Sequence, residues 1–241
     1  KQAIEYGKEH LSEEPRERVE TRPIPGVASD GYVLVWERPV TGERYYIGAD
    51  TADGKGEAVG TWGATGGPDR NAAVIYRARD DAQVAAIYGR QEEHAYARVL
   101  NEWGMAYNNA LLGVERNRRS VLVALRELNY PNLYSTRKAT DMHMQLPVNT
   151  IANIEYGWNT DVKTRPMLLS DFREALSTGA VKPKDKDLWV ECESFIVGAP
   201  PQAAPGQHDD RIFAHAIAWQ VRKMLRQQGS GVSITIRPVG L

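Results

Sequence analysis

The chain has 241 residues, room for one large domain or two small ones, and its 42% hydrophobic and 25% charged content is that of an ordinary globular protein. A net charge of -1 excludes a global basic field, so a nucleic-acid partner would have to be met by a local patch. The one cysteine, Cys192, excludes an intrachain disulfide and a cysteine zinc site, and with no run of 18 or more apolar residues no membrane-spanning helix is expected.

Residues 1–30 carry Glu-Glu-Pro, Arg-Pro-Ile-Pro and few apolar side chains, and read as a lead-in or linker with a short helix near Glu5 to Leu11. The start at Lys1, with no secretory signal pattern, raises the expectation of a domain excised from a longer protein. A strand is expected over Gly31 to Pro39, with Val40 to Glu43 as the turn of a hairpin into the next strand, Tyr45 to Asp50. Gly54 to Gly67 is rich in glycine and small residues. Asn71 to Arg77 and Gln83 to Tyr88 are two more strands joined tightly at Arg79-Asp80-Asp81, so the first half reads as an antiparallel meander.

Glu92 to Tyr107 has Ala95, Val99, Leu100, Trp103 and Tyr107 at helical spacing. Ala110 to Glu115 is a short apolar run ending in an acid, the pattern of a buried strand reached by a helical crossover. Ser120 to Leu128 reads as a helix and Asn132 to Tyr134 as a short strand. Thr136 to Pro166 reads as an excursion or β-hairpin. Ser170 is expected to cap a helix to Leu176, and Leu188 to Val197 to be a strand or strand pair. His208 to Arg226 is an amphipathic helix and Val232 to Arg237 a terminal strand.

Three acidic positions stand at the ends of these core elements. Asp50 ends one buried strand, Glu115 ends another, and Asp209 and Asp210 open the long helix ahead of its apolar stripe. Each has a plain structural reading, since helix N-termini favour carboxylates and a strand-end Glu can pair with a nearby Arg. Together they point to metal, because carboxylates without matching cations repel one another and oxygen-loving divalent ions remove that repulsion. A serine-hydrolase elbow and a Walker A loop are both absent from the sequence. Asp53-Gly54-Lys55-Gly56 lacks the spacing of a phosphate cradle and reads as a turn.

The segments YYIGADTADGKGE (45–57), YNNALLGVERN (107–117), LNYPNLY (128–134), YGWNTDVKTRPMLL (156–169) and HDDRIFAHAIA (208–218) stand in an order that resembles the C-terminal nuclease domain of the large terminase subunit, the DNA-packaging motor of tailed bacteriophages. The resemblance implies an α/β, RNase H-like fold over residues 31–241: a mixed central sheet, antiparallel in its first three strands and then parallel, flanked by helices. It implies a Mg²⁺- or Mn²⁺-dependent endonuclease, with two ions, that cuts concatemeric double-stranded viral DNA with weak sequence preference. Asp50 would then be shared by both ions, Glu115 would be the second-strand ligand, and Asp209 and Asp210 the paired acids. Glu57 would be an accessory acid, and His208 would orient a ligand or a water. The implied partners are the portal protein, the small terminase subunit and an N-terminal ATPase domain, in the host cytoplasm during virion assembly, with no membrane. The same acids would serve a resolvase, transposase or RNase H-type enzyme, or hold a structural ion in a non-catalytic docking module.

Basic residues flank the acids. Arg116, Arg118 and Arg119 follow Glu115, and Arg137, Lys138, Lys163 and Arg165 flank the 136–166 excursion, which could act as a flap. They form a candidate rim for DNA phosphates, against the plain reading of solvated charges. Trp158 reads as a loop anchor and Cys192 as core. Glu191 and Glu193 alternate about Cys192, with surface exposure as the default reading and a further acid near the site as the alternative, and Lys182, Lys184 and Lys186 are expected on a surface turn. His94, His143 and His215 receive no role.

Overall fold

In a computed structural model the described residues are 2–22, 30–51, 70–116, 119–137, 154–196, 198 and 201–229. The chain runs α1 (Gln2–His10), β1 (Glu17–Glu20), β2 (Asp30–Val35), β3 (Tyr45–Asp50), β4 (Asn71–Arg77), β5 (Ala82–Arg90), α2 (Glu93–Ala106), β6 (Leu111–Val114), α3 (Arg119–Glu127), β7 (Ser135–Arg137), β8 (Ile154–Tyr156), α4 (Thr164–Ser177), α5 (Lys186–Ser194), β9 (Phe195–Ile196), β10 (Gln202–Ala203) and α6 (Asp210–Gly229). Among the described residues, six strands form one sheet in the order β1-β2-β5-β4-β3-β6. The β3-β4-β5 meander is antiparallel, and β6 joins β3 in parallel after the α2 crossover. This is the expected mixed α/β, RNase H-like arrangement.

Side chains alternate between two cores, as a strand requires. Ile47, Ala49, Ala73, Ile75, Leu112 and Val114 point to one core with α2 and α3. Tyr46, Ala72, Val74, Tyr76, Tyr88 and Leu111 point to the other, with α4 and α6. Gly48 sits in the second face, where an added Cβ would lie 2.2 Å from the Ala214 carbonyl oxygen and the Ala218 nitrogen. Only a residue without a side chain lets α6 lie this close across the sheet.

Several expectations are corrected. Residues 1–30 are more than a lead-in, because β1 pairs with β2 at the sheet edge. The Gly31 to Pro39 strand forms no hairpin with β3. It pairs with β5, and β5 and β4 lie between it and β3. Leu188 to Val197 is mostly helix, capped by Asp185, whose side chain accepts from Asp187 N–H at 3.0 Å. Its alternation misled, because Trp189 is buried (1%) while Val190 is exposed (53%). Ser170 lies inside α4, which starts six residues earlier at an Asp161–Thr164 turn. Lys184 is half-buried, bridging Glu13 and Glu37 at 3.0 Å each. The base of the 136–166 hairpin is present as β7 paired with β8. Its residues 138–153, Gly54 to Gly67, His143 and the expected strand Val232 to Arg237 lie outside the described residues.

Candidate metal and nucleic-acid site

Asp50 and Glu115 reach the same end of the sheet because β3 and β6 run in parallel. Ala49 pairs with Val114, and the Glu115 N–H donates to the Ala49 carbonyl at 2.9 Å. By alternation from Gly48 and Gly113, both of which lie under α6, the two acids share the α6 face. On α6, Ala214 touches Gly48, and Asp210 is one turn earlier, about 6 Å along the axis. Two residues of strand carry the chain about 7 Å from Gly48 to Asp50. The first turn of α6 therefore meets the end of β3.

The electrostatics bear the signature of that meeting. Burial, then the charges of Glu115 and Asp210, a side-chain hydrogen bond to Glu115 and the charge of Asp209 push the Asp50 carboxyl well above the usual carboxylate range. Glu115 and Asp210 are each 7% exposed, and Asp50 keeps part of its surface accessible. A guanidinium and an imidazole approach the helix end. Arg165 lies 3.5 Å from the Asp209 carboxylate and 4.1 Å over the Phe213 ring. His208 Nδ1 is 3.5 Å from Asp210 Oδ2. All four acids offer oxygen donors, the type that Mg²⁺ and Mn²⁺ take. Among the described residues no group of three or more His, Cys, Asp or Glu is already drawn in tightly enough to hold an ion. The acids converge from three elements without forming a closed cage.

No family model matches the chain, and no curated protein matches it. Solved structures do. The large terminase nuclease from thermophilic phage G20c matches with a TM-score of 0.59 at 18% identity, over 90% of this chain and 97% of that one. The same nuclease with bound magnesium gives 0.60 at 17% identity, over 90% and 96%. The large terminase nuclease domain of Thermus phage P74-26 gives 0.55 at 17% identity, over 90% and 93%. The chain has the fold of a phage large-terminase nuclease. The phage G20c nuclease also has structures with bound cobalt and with bound zinc.

Within this terminase-nuclease fold the basic candidates fall into different settings. Arg116 is committed to the hairpin base: its guanidinium pairs with Glu155 at 2.5 Å and donates to the Tyr156 and Gly157 carbonyls at 3.1 Å. Arg165 lies against the acids, donating to the Pro201 carbonyl at 3.1 Å as well. Lys163 and Arg119 are exposed at the starts of α4 and α3. Arg137 lies in β7, and its side chain is outside the described set, as are Glu57, Arg118 and Lys138. Trp158 is half-buried against Tyr134 and pairs with the chain at Glu115, consistent with an anchor.

The sequence reading missed the support beneath α6. Glu191, expected at the surface, is 8% exposed, and its carboxylate accepts the Arg211 N–H at 2.9 Å and the Ile212 N–H, two first-turn donors of α6. Burial pushes Glu191 up to about 8, with Arg211 opposing. The Arg211 guanidinium is buried between Asp185 at 2.5 Å, Asp187 at 3.1 Å and Glu191 at 3.3 Å, and lies 3.8 Å over the Tyr88 ring. Reading residues 186–194 at helical rather than strand period would have turned Glu191 inward. On the opposite face, the Tyr96 hydroxyl donates to the Ala72 carbonyl at 2.8 Å and the Asp50 carbonyl at 3.2 Å, pinning the ends of β4 and β3 together.

Proposed function

We propose that this chain is a metal-dependent endodeoxyribonuclease that cuts concatemeric double-stranded viral DNA during genome packaging. The observation that carries this reading is the meeting of Asp50 on β3, Glu115 after β6 and Asp209–Asp210 at the start of α6 at one end of the sheet, with burial and the neighbouring acids raising the Asp50 carboxyl. Mg²⁺ or Mn²⁺, two ions in our reading, would offset that repulsion and supply Lewis-acid stabilisation to a phosphodiester. Asp50, Glu115, Asp209 and Asp210 would hold them, with His208 orienting Asp210 and Glu57 as an accessory acid.

The protein's own share is positioning and electrostatics. The β3–β6 pairing sets the spacing of Asp50 and Glu115. Glu191 and Arg211 hold the first turn of α6, and with it Asp209 and Asp210. Arg165, Lys163 and Arg119, with Arg118, Arg137 and Lys138, supply positive charge for the DNA backbone around an acidic centre. Arg116 serves by fixing the hairpin base beside Glu115. Backbone contacts of this kind give weak sequence preference. The working context in this reading is a packaging motor in the host cytoplasm, with an ATPase domain, the portal protein and the small terminase subunit as partners.

The test is cleavage of supercoiled plasmid with Mg²⁺, Mn²⁺, Ca²⁺ or EDTA, beside an Asp50→Ala control. Nicking and linearisation that require Mg²⁺ or Mn²⁺ and vanish in the control are the expected result. Absence of cleavage by the chain and by any longer protein that contains it would overturn the reading.

A further inference from the structure

The end of the sheet that carries Asp50 and Glu115 also carries an arginine that none of the preceding assignments uses. Arg70 immediately precedes β4. Asp50 pairs with Ala72 across the β3–β4 ladder, so Arg70 lies two residues beyond the partner of Asp50. Tyr76, Val74 and Ala72 point into the α6 core, and by the period of two Arg70 shares that face. Its guanidinium lies 5.4 Å from the centroid of Tyr88, the same ring that Arg211 covers at 3.8 Å. The charges of Arg211, Asp210, Glu191 and Arg70 all act on the Tyr88 hydroxyl, which places Arg70 within electrostatic reach of the α6 N-terminus.

Its bonding sets Arg70 apart. The other arginines buried or half-buried among the described residues each have a carboxylate partner: Arg77, Arg116, Arg165, Arg211 and Arg222. Arg70 is half-buried, its Nε is buried, and that Nε has no hydrogen-bond partner among the described residues. A guanidinium stays charged at any working pH, and an unused Nε–H costs stability unless something accepts from it. The guanidinium also carries Nη–H donors, and a charge-assisted hydrogen bond from these to a phosphate oxygen is among the strong ones.

We propose that Arg70 is a substrate-binding residue of this site, donating from its guanidinium Nη groups to a backbone phosphate of the DNA strand that lies across Asp50 and Glu115. This rests on the nuclease reading above. The sheet order then places, side by side on one face, Arg70 ahead of β4, Asp50 on β3 and Glu115 on β6. Phosphate charge would meet the Arg70 guanidinium beside the acids, with Arg165 as a further cation near Asp209. The Tyr88 ring would keep the Arg70 side chain extended, so little side-chain freedom is lost on binding.

The experiment compares wild type, Arg70→Ala and Arg70→Lys in plasmid cleavage with Mg²⁺ and in binding of a short fluorescein-labelled duplex with Ca²⁺ over a salt series. Thermal melting is followed in parallel. Arg70→Ala should cut about 10- to 100-fold more slowly, the worth of a charged hydrogen bond. Its log–log salt slope should be shallower by about 0.9, one phosphate contact. Arg70→Lys should restore the slope but only part of the rate, and melting should hold in both variants. Cleavage and salt slope equal to wild type in Arg70→Ala would overturn the assignment while leaving the nuclease reading intact. So would a loss that tracks a lower melting temperature and is not relieved by Arg70→Lys. Absence of cleavage by the wild-type chain and by any longer protein that contains it would overturn both.

Discussion

The two ends of α6 handle negative charge in opposite ways. At its C-terminal half Asp81, 5% exposed, is gripped by Arg222, by Arg226 at 3.3 Å and by the Tyr46 hydroxyl at 3.0 Å. Every oxygen of that carboxylate has a donor, as a buried charge needs. At the N-terminal end Asp50, Glu115, Asp209 and Asp210 converge, and the outcome is a carboxyl driven well above its usual range by its own neighbours. The same helix and the same sheet face build both. A fold that can satisfy an acid so completely at one end has kept an unfavourable cluster at the other, and crowding of like charge is what a site for cations and phosphates requires. Glu191 makes the contrast sharper, since beside the crowded acids it spends its own carboxylate on the helix N–H groups.

The comparison breaks most visibly through Asp50. Asp50→Asn should lower Mg²⁺-dependent cleavage by about a thousandfold or more, the scale of removing a main electrostatic group from an active site. In EDTA the same variant should melt no lower than wild type, because one repelling charge is gone. A clear drop in melting temperature would show that Asp50 is held by structure rather than crowded. Asp81→Asn should do the reverse. Asn tolerates the local φ of 53° but leaves the Arg222 guanidinium buried without its counter-charge. Stability should fall by about 3 kcal/mol, or about 10 °C in melting temperature, with cleavage per folded molecule unchanged. Urea unfolding and plasmid cleavage on the same preparations measure both sides.

How much of this was legible follows from what each residue must satisfy. Asp50, Glu115 and the Asp209–Asp210 pair stood out together, because each has a plain reading alone while several acids at the ends of core elements repel unless cations offset them. At Gly48 the sequence puts a residue without a side chain inside an apolar strand, and α6 supplies the close contact that needs it. The β3-β4-β5 meander followed from short connections and β-rich composition. What sequence did not yield depends on partners far along the chain. β1 is polar on both flanks, and only its pairing with β2 makes it a strand. The placement of β5 beside β2 is a tertiary choice that a tempting Val40–Glu43 turn concealed. Glu191 was hidden by a period error, since Leu188, Val190 and Cys192 alternate like a strand while Leu188, Trp189 and Glu191 form the buried helical face. Arg70 has no local signature, because its meaning comes from Tyr88 on the next strand and Asp50 on the other.

Between the two ends lies His215, and it gives the comparison a pH axis. It is 2% exposed, stacked 5.9 Å from Phe172, with its Nδ1 2.6 Å from the Tyr76 hydroxyl. Burial, then the Arg211 charge, pushes it down to about 3 from an ordinary 6.5. The unfolded chain therefore binds a proton between those values that the folded chain refuses, so stability due to His215 is complete above 6.5 and is lost as pH falls toward 3. From pH 7 to pH 5 the loss should be about 2 kcal/mol. Asp50 has the opposite sign. Its raised carboxyl takes up a proton in the folded state before the unfolded one does, so acidification relieves the crowded end while it strains the middle of the helix. Urea midpoints at pH 7 and pH 5 separate the two. His215→Gln, which keeps an acceptor for the Tyr76 hydroxyl, should flatten the decline by about 2 kcal/mol. Asp50→Asn should steepen it, because the opposing relief is removed. If both variants shifted the decline in the same direction, the acids at the start of α6 would not be in the repulsive state on which the nuclease reading depends.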